Sequence, residues 1–314
     1  MLEITTPSRL HLTLIDMNAS IGRVDGSIGL TLDNPVIKIK AQKSDIVEIT
    51  GSSEHIERMR NSAKALLPDD GGIQLWIEED YPSHIGLGSG TQASLAAGMA
   101  VNELYSLGLS VQEIAVKVER GGTSGIGVAA FENGGFILDG GHKFSMKRAF
   151  LPSAASKLPP APVILRKEFP DWDIVVIVPE HKGASQKNEV NIFRKVCPVP
   201  LHDVEALSHV ILMQLLPALF EKDIVNFGKS IDAIQELGFK KREVELQPAS
   251  LHLMHALRDG GANGAGMSSF GPTVYAFGED TENLKKIARE LLGSKGMVFG
   301  TKARNRGAII AKCP

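Results

Sequence analysis

Residues 82–94 read Pro-Ser-His-Ile-Gly-Leu-Gly-Ser-Gly-Thr-Gln-Ala-Ser, and no other stretch of the chain says as much. Gly86, Gly88 and Gly90 alternate with small or polar residues just before a helical pattern begins. Such a loop turns backbone N–H groups onto an anion at a helix N-terminus, where the helix dipole adds to the attraction. We read Gly86, Leu87, Gly88, Ser89, Gly90, Thr91 and Gln92 as a cradle for a phosphate or diphosphate.

Working outward, residues 72–77 read as a strand and 54–67 have helical spacing, with Ile56, Met59, Ala63, Leu66 and Leu67 on one side. Nearer the N-terminus, residues 9–14 and 36–41 alternate polar and apolar as half-buried strands do. The segment 16–29 between them is rich in Gly, Asp, Asn and Ser and reads as a loop. Past the cradle, the pattern predicts a helix over 91–107 that stops at Gly108. Ser110-Val111-Gln112-Glu113 is a capping box opening the next helix. A second glycine-rich region spans 123–142. Pro152, Pro159, Pro160 and Pro162 then mark a linker, which suggests one domain over 1–155 and another over 163–314. Beyond it come a strand at 172–178, helices at 202–220, 223–236 and 248–258, and a third glycine-rich loop at 260–271. A strand at 274–277, a helix at 281–292 and a strand at 307–312 end the chain. Strands and helices mix without a regular βαβ rhythm, so the expected class is α+β.

The composition suits a globular protein with a sizeable core, at 43% hydrophobic and 22% charged over 314 residues. A net charge of −2 offers no basic field for nucleic acid, and 5% aromatics offer no stacking surface. Cys197 and Cys313 are too far apart in sequence to suggest a metal motif or a disulfide framework. The N-terminus, Met1-Leu2-Glu3-Ile4-Thr5-Thr6-Pro7, lacks the order of a signal peptide, and no uninterrupted apolar run nears the roughly 20 residues of a spanning helix. A cytoplasmic enzyme of small molecules, without nucleic-acid or membrane partners, is the expectation.

The three glycine-rich segments, in this order, resemble the GHMP kinase superfamily. Pro82, Gly86, Leu87, Gly88 and Ser89 match its central motif, Pro7-Ser8-Arg9 its N-terminal motif, and Gly264-Ala265-Gly266 its C-terminal motif. The resemblance implies a two-domain α+β fold, with an N-terminal half like ribosomal protein S5 domain 2 and a ferredoxin-like C-terminal half. It also implies a homodimer, since dimers are common in the superfamily. Kinases of this type carry a catalytic aspartate in a Ser-Gly-x-Asp context. Here the segment is Ser124-Gly125-Ile126-Gly127, and glycine cannot accept a proton. Gly90 stands where a loop serine is usual, and Arg9 where a lysine often is.

One branch fits these departures. Ser8-Arg9-Leu10-His11, residues 14–18, 22–29, 86–92 and 134–142 resemble the β-ribofuranosylaminobenzene 5′-phosphate synthase family of methanopterin biosynthesis. That resemblance implies a decarboxylating phosphoribosyltransferase. Phosphoribosyl pyrophosphate and 4-aminobenzoate (or 4-hydroxybenzoate) would give a C-riboside 5′-phosphate, CO2 and diphosphate. A small-molecule kinase using ATP and a non-catalytic ligand-binding relative are the competing readings.

Such chemistry needs a cation for the benzoate and a carboxylate facing the positive ribosyl centre. The catalytic candidates are Arg9, His11, Arg23 and Asp25, with Asp16 and Asp25 as ligands of a Mg2+ ion. Arg9 and His11, two apart, share one face of a strand, as a solvated polar face would also do. Asp16 and Asp25 could equally be Asx-turn residues in a glycine-rich loop. Alanine at Asp25 or Arg23 is expected to abolish turnover and leave the fold intact. Asp139 reads as a hairpin residue. His181-Lys182 to Gln186-Lys187 is a candidate 5′-phosphate site or a solvated basic turn, and Lys302, Arg304 and Arg306 read as a surface cluster.

Overall fold

The computed structural model describes residues 1–180 and 186–312. The 5′-phosphate candidate at His181-Lys182 and the thiol of Cys313 lie outside the described residues, as do the side chains of Gln186 and Lys187.

The chain opens with two long strands, β1 (Leu2–Asp16) and β2 (Arg23–Ser44), paired antiparallel almost throughout. β3 (Val47–Thr50), α1 (Ile56–Lys64) and β4 (Gly72–Glu79) follow. Then come α2 (Ser89–Tyr105), α3 (Val111–Lys117), α4 (Ile126–Glu132), β5 (Phe136–Asp139), β6 (His142–Lys143), α5 (Phe144–Lys147) and β7 (Val163–Lys167). β8 (Asp173–Pro179) leads into α6 (Gln186–Val196), α7 (Leu201–Val210), α8 (Leu216–Glu221), α9 (Ile224–Gln235), α10 (Gly238–Glu245) and α11 (Pro248–Asp259). The chain ends with β9 (Gly264–Met267), β10 (Val274–Phe277), α12 (Thr281–Leu292), β11 (Gly296–Lys302) and β12 (Ile309–Lys312).

The second sheet runs β11-β8-β10-β9, antiparallel throughout. Counted along the chain this is the order 4-1-3-2, with helices after its first and third strands, which is the ferredoxin-like arrangement expected. The first sheet runs β12-β1-β2-β4-β3, with β5 joined to β2 and β7 to β5. β7 and β12 therefore belong to the first sheet. The crossing between halves falls after Lys167, and the proline-rich segment before it packs on the first half. Pro160 there sits where a Cβ on Gly121 would lie at 2.8 Å. The chain end then returns to pair with β1.

The reading of 16–29 as a loop is half right. Only 17–22 lie outside strands; Arg23 to Gly29 begin β2. Their small side chains suit the place, because Ser27, Ile28 and Gly29 lie between β1 and β5. α4 crosses at Gly29, where a Cβ would come 2.3 Å from Ile126 Cγ2 and 2.7 Å from the Leu10 carbonyl oxygen. α2 is buried nearly all round, with Ala93, Ala96, Ala97, Gly98 and Ala100 in the core. The capping box forms as read, with both its hydrogen bonds. α7 and α8 join through a π-turn at Ile211–Leu215 into one 21-residue helix, long and apolar enough to cross a membrane by length and composition. The sequence has no unbroken apolar run there, and Val204, Leu207, Ile211, Leu215 and Leu219 turn into the core.

Asp25 lies beneath the cleft described below, 1% exposed and at φ +69°. Both its oxygens accept from Lys147 Nζ at 2.7 Å, and Oδ2 lies 2.8 Å from His142 Nδ1. Lys147 also donates to Thr123 Oγ1 at 2.8 Å. Asp16 instead caps a turn, its Oδ1 accepting from the Asn18 and Ala19 amides at 2.8 and 2.9 Å. Arg23 donates to the carbonyls of Gly140 and Gly141 at 2.9 and 3.0 Å. Arg304, expected in a surface cluster, is 5% exposed.

Two stability effects follow. Gly29→Ala overpacks the α4 crossing and should cost about 1–3 kcal/mol, read as a lower urea midpoint; an unchanged midpoint would place α4 farther from the sheet. Asp25→Ala should leave the fold far from intact. It strands Lys147, whose side chain is 1% exposed, and removing one partner of a buried pair costs about 3–5 kcal/mol. Thermal unfolding measures it, and a melting temperature equal to wild type would show that the pair contributes nothing.

Candidate active site

A cleft of about 1120 Å³ opens between the two halves. The glycine loop and β1 form its floor. α1, the end of α3 and the start of α4 form one wall; α6, α10 and Phe270 form the other.

The loop has no side-chain cap. Gly88 is the N-cap of α2 at φ +85°, and Gly86 stands at φ +92°, both left-handed conformations open to glycine. Side chains would not fit at either position. A Cβ on Gly86 would lie 2.5 Å from the Ser268 carbonyl oxygen, and one on Gly88 3.1 Å from the Arg9 side chain. The loop is braced from both halves. Ser268 Oγ accepts from the His11 amide at 3.0 Å and donates to the Gly86 carbonyl at 2.7 Å. The Arg9 amide donates to the Leu87 carbonyl at 3.1 Å, and Thr273 N–H to the Ile85 carbonyl at 3.3 Å. With its ends held, the first turn of α2 presents amides and the positive end of its dipole to the cleft.

Not every cradle residue faces a ligand. Leu87 is buried, and the Ser89 hydroxyl donates back to the Pro82 carbonyl at 3.1 Å. Gln92 Nε2 donates to the Gly127 carbonyl at 2.8 Å. Thr91 packs on Gly127, where a Cβ would lie 3.1 Å from Thr91 Cγ2. Gly86, Gly88, Ser89, Gly90 and Thr91 line the cleft.

Arg9 and His11 do share one face of β1 and both line the cleft. Arg9 donates to the Gly86 carbonyl at 2.6 Å and runs beneath Gly88. Burial lowers it to about 10, against attraction from Glu189 and Glu243, so it stays charged at neutral pH. Burial, with the charges of Arg9 and Lys240, holds His11 well below its usual value, so its imidazole is neutral. Its Nδ1 is buried without a hydrogen-bond partner among the described residues. Arg23 and Asp25 do not line the cleft, nor does Asp16.

Composition and spacing missed most of the charge in the site. Arg58 lies against Gly90, with its Cζ 3.2 Å from where a Cβ would be, and Arg120 and Lys117 stand beside it. Burial and the Arg58 charge lower Arg120 to about 10. The opposite end holds two carboxylates. Burial and repulsion from Glu243 raise Glu189 to about 7. Glu243 is 2% exposed, with Lys240 Nζ at 2.5 Å. Arg58 and Arg120 come from helices that read as ordinary amphipathic surfaces. Glu189 and Glu243 lie far from the glycine loop in sequence, and only the meeting of the halves brings them to it. Among the described residues no group of three His, Cys, Asp or Glu side chains stands ready for a metal ion. Asp16 and Asp25, expected as magnesium ligands, are held by a turn and by Lys147.

The GHMP kinases N terminal domain profile matches residues 52–135, and the GHMP kinases C terminal profile residues 215–296. The chain is 48% identical to the β-ribofuranosylphenol 5′-phosphate synthase of Archaeoglobus fulgidus, covering 99% of each sequence. It is 45% identical to that of Methanothermobacter thermautotrophicus, again over 99% of each. The fold matches the crystal structure of homoserine kinase from Cytophaga hutchinsonii with a TM-score of 0.71, at 17% identity over 99% of this chain and 97% of that one. Identity of this order over the full length decides the family: the chain belongs to the β-ribofuranosylphenol 5′-phosphate synthase family, within the GHMP kinase fold.

Proposed function

We propose that this protein is a decarboxylating phosphoribosyltransferase of methanopterin biosynthesis. In this reading it joins phosphoribosyl pyrophosphate to 4-hydroxybenzoate and releases CO2 and diphosphate. The observation that carries the reading is the pairing of an uncapped helix N-terminus, ringed by arginines, with a glycine where a kinase needs its base. The phenol in the relatives' name favours 4-hydroxybenzoate over 4-aminobenzoate as acceptor.

The bonds balance without an added acid or base at the reacting carbons. The C–O bond from ribose C1 to diphosphate breaks, and its electron pair leaves with diphosphate. The ring carbon bearing the carboxylate attacks ribose C1. Its bond to the carboxyl carbon then breaks, the electron pair restores the aromatic ring, and CO2 departs. Diphosphate lies at the start of α2, where Arg58, Arg120 and Lys117 neutralise its growing charge. Magnesium supplied with the donor would help neutralise the diphosphate charge, and no residue of this chain is assigned to hold it. Arg9 binds the benzoate carboxylate with the remaining arms of its guanidinium. Neutral His11 beside it adds a hydrogen bond without a second positive charge, so the carboxylate is oriented and not trapped. The ionised Glu189 carboxylate faces the developing ribosyl cation, the role expected of Asp25. The apolar side chains of Leu212, Met213 and Val225, all well exposed, support a homodimer.

Purified protein with magnesium, phosphoribosyl pyrophosphate and carboxyl-labelled 4-hydroxybenzoate should release labelled CO2. ATP consumption with an alcohol substrate and no label release would instead favour a kinase. Arg58→Ala and Arg120→Ala should each raise KM for phosphoribosyl pyrophosphate by roughly tenfold or more, the scale of a lost charged hydrogen bond. KM values within twofold of wild type would move the diphosphate elsewhere. Because Glu189 must be ionised, kcat/KM should rise with pH through about 7. Glu189→Gln should be slow and flat across that range; a variant that keeps the wild-type limb would remove Glu189 from the mechanism.

A further inference from the structure

Asp139 ends β5 with its carboxylate 1% exposed, and nothing in the reaction above uses it. Its Oδ1 accepts from the Gly141 amide at 3.0 Å. Its Oδ2 accepts from the Gly125 amide at 2.9 Å and from the Ser27 hydroxyl in a shorter contact. Ser27 Oγ lies 2.7 Å from Ser124 Oγ. Ser124 lines the cleft beside Thr123 and Gly127, and its Oγ also accepts from the Ile126 amide at 3.3 Å. A carboxylate and two hydroxyls thus form one row from the interior to the cleft wall.

The row has a direction. A hydroxyl carries a single proton, and a carboxylate carries none. Burial raises Asp139 to about 6, with its three donors pulling the other way and the Asp25 charge adding to the rise. At neutral pH it is an acceptor only. Ser27 gives its proton to Asp139 and can only accept from Ser124. Ser124 gives its own proton inward, so its oxygen meets the cleft as an acceptor, with the Ile126 amide behind it. Reversed, with Asp139 protonated, the same row would aim the Ser124 proton outward at an anion.

We propose that Ser124 is a recognition site for a substrate hydroxyl, and that Asp139, acting through Ser27, is the positioning residue that sets its polarity. The inference rests on the ribosyl-transfer reading for the identity of the substrates. Those substrates bring hydroxyls from two sources, the ribose ring of the donor and the phenol of the acceptor, and both donate as Ser124 requires. A phosphate oxygen does not, since it has no proton to give at neutral pH.

Two measurements test this on wild type, Ser124→Ala, Ser27→Ala and Asp139→Asn. Steady-state kinetics are run with each substrate varied in turn, and calorimetry measures binding of 4-hydroxybenzoate, benzoate and phosphoribosyl pyrophosphate separately. Ser124→Ala should weaken one substrate roughly tenfold, the scale of one lost hydrogen bond at a buried site, with the other substrate and the melting temperature little changed. A loss confined to 4-hydroxybenzoate, with benzoate unaffected, assigns the phenol. A loss confined to phosphoribosyl pyrophosphate assigns the ribose. Asp139→Asn replaces one of the two acceptor oxygens with an amide donor that must face a backbone N–H, of Gly141 or of Gly125; this removes the charge that fixes the row and should weaken the same substrate. Ser27→Ala cuts the row and should act in the same direction, so it carries the test if Asp139→Asn fails to fold. Binding and KM within twofold of wild type for both substrates in Ser124→Ala would overturn the proposal. So would a loss spread over kcat and stability alone in the other two variants. A wild type that binds both substrates and turns over neither would overturn the ribosyl-transfer reading, while the binding arm would still decide the role of Ser124.

Discussion

The cleft depends on one hydroxyl that ties three segments together. Ser268 Oγ accepts from the amide of His11 and donates to the carbonyl of Gly86. A loop built on glycines at φ +92° and +85° has little preference for that shape by itself. Ser268 and the Thr273 amide hold it from the second half of the chain, and the Arg9 amide holds it from the first. Tyr81 adds a buried hydroxyl 3.3 Å from the Leu87 carbonyl. Because the second half completes the loop, neither half carries a finished anion site. The side chains that face the anion are then fixed by the same braces, since Arg9 and His11 lie on the strand whose amides make them.

The charge inside the cleft is divided by the same geometry. Positive groups cluster at the helix N-terminus, where burial lowers both Arg58 and Arg120 and the Arg58 charge lowers Arg120 further. Carboxylates occupy the opposite side, where burial raises both Glu189 and Glu243 and the Glu243 charge raises Glu189 further. Each cluster is costly alone, and each is kept ionisable by its neighbours. Lys240 sits 2.5 Å from Glu243 and donates to the carbonyls of Met267 and Ser269. It therefore braces the chain next to Ser268 while it compensates an acid in the cleft. A substrate with a diphosphate at one end and an incipient cation beside it matches this division; ATP, anionic along its whole phosphate tail, does not match the acidic side.

What could be read from the sequence follows the range of the forces involved. The Ser110–Glu113 capping box, the α2 helix and the glycine loop are local, and residues within a few positions determine them. Arg9 and His11 were legible because strand alternation places them on one face. The start of β2 was not. Its glycines and serine resemble a loop by composition, and only the pairing with β1 on one side and β5 on the other makes small residues a requirement there. Asp25 was read as a reactive carboxylate on the same grounds, yet Lys147, from 122 positions away, neutralises it. Glu189, Glu243, Arg58 and Arg120 carried no motif, because their function arises from where two halves meet. The family resemblance carried the fold and the chemistry; it could not say which acids face the substrate.

Gly127 explains how one scaffold supports two chemistries. In both, a polyphosphate oxygen leaves from the N-terminus of α2, so the loop and its dipole are useful unchanged. The chemistries differ at the attacking atom. A hydroxyl that attacks phosphorus must lose a proton, and a base has to stand beside it. A ring carbon that attacks ribose loses CO2 instead, and the departing carboxyl leaves its electron pair behind as a base would. Decarboxylation thus replaces deprotonation at the attacking centre, and the aspartate becomes dispensable. A glycine in its place lets α4 close onto Thr91, where even a Cβ would be tight. The buried acid that remains nearby, Asp139, reaches the cleft only through two hydroxyls, which suits it to orient a substrate and not to carry the main proton transfer of a kinase.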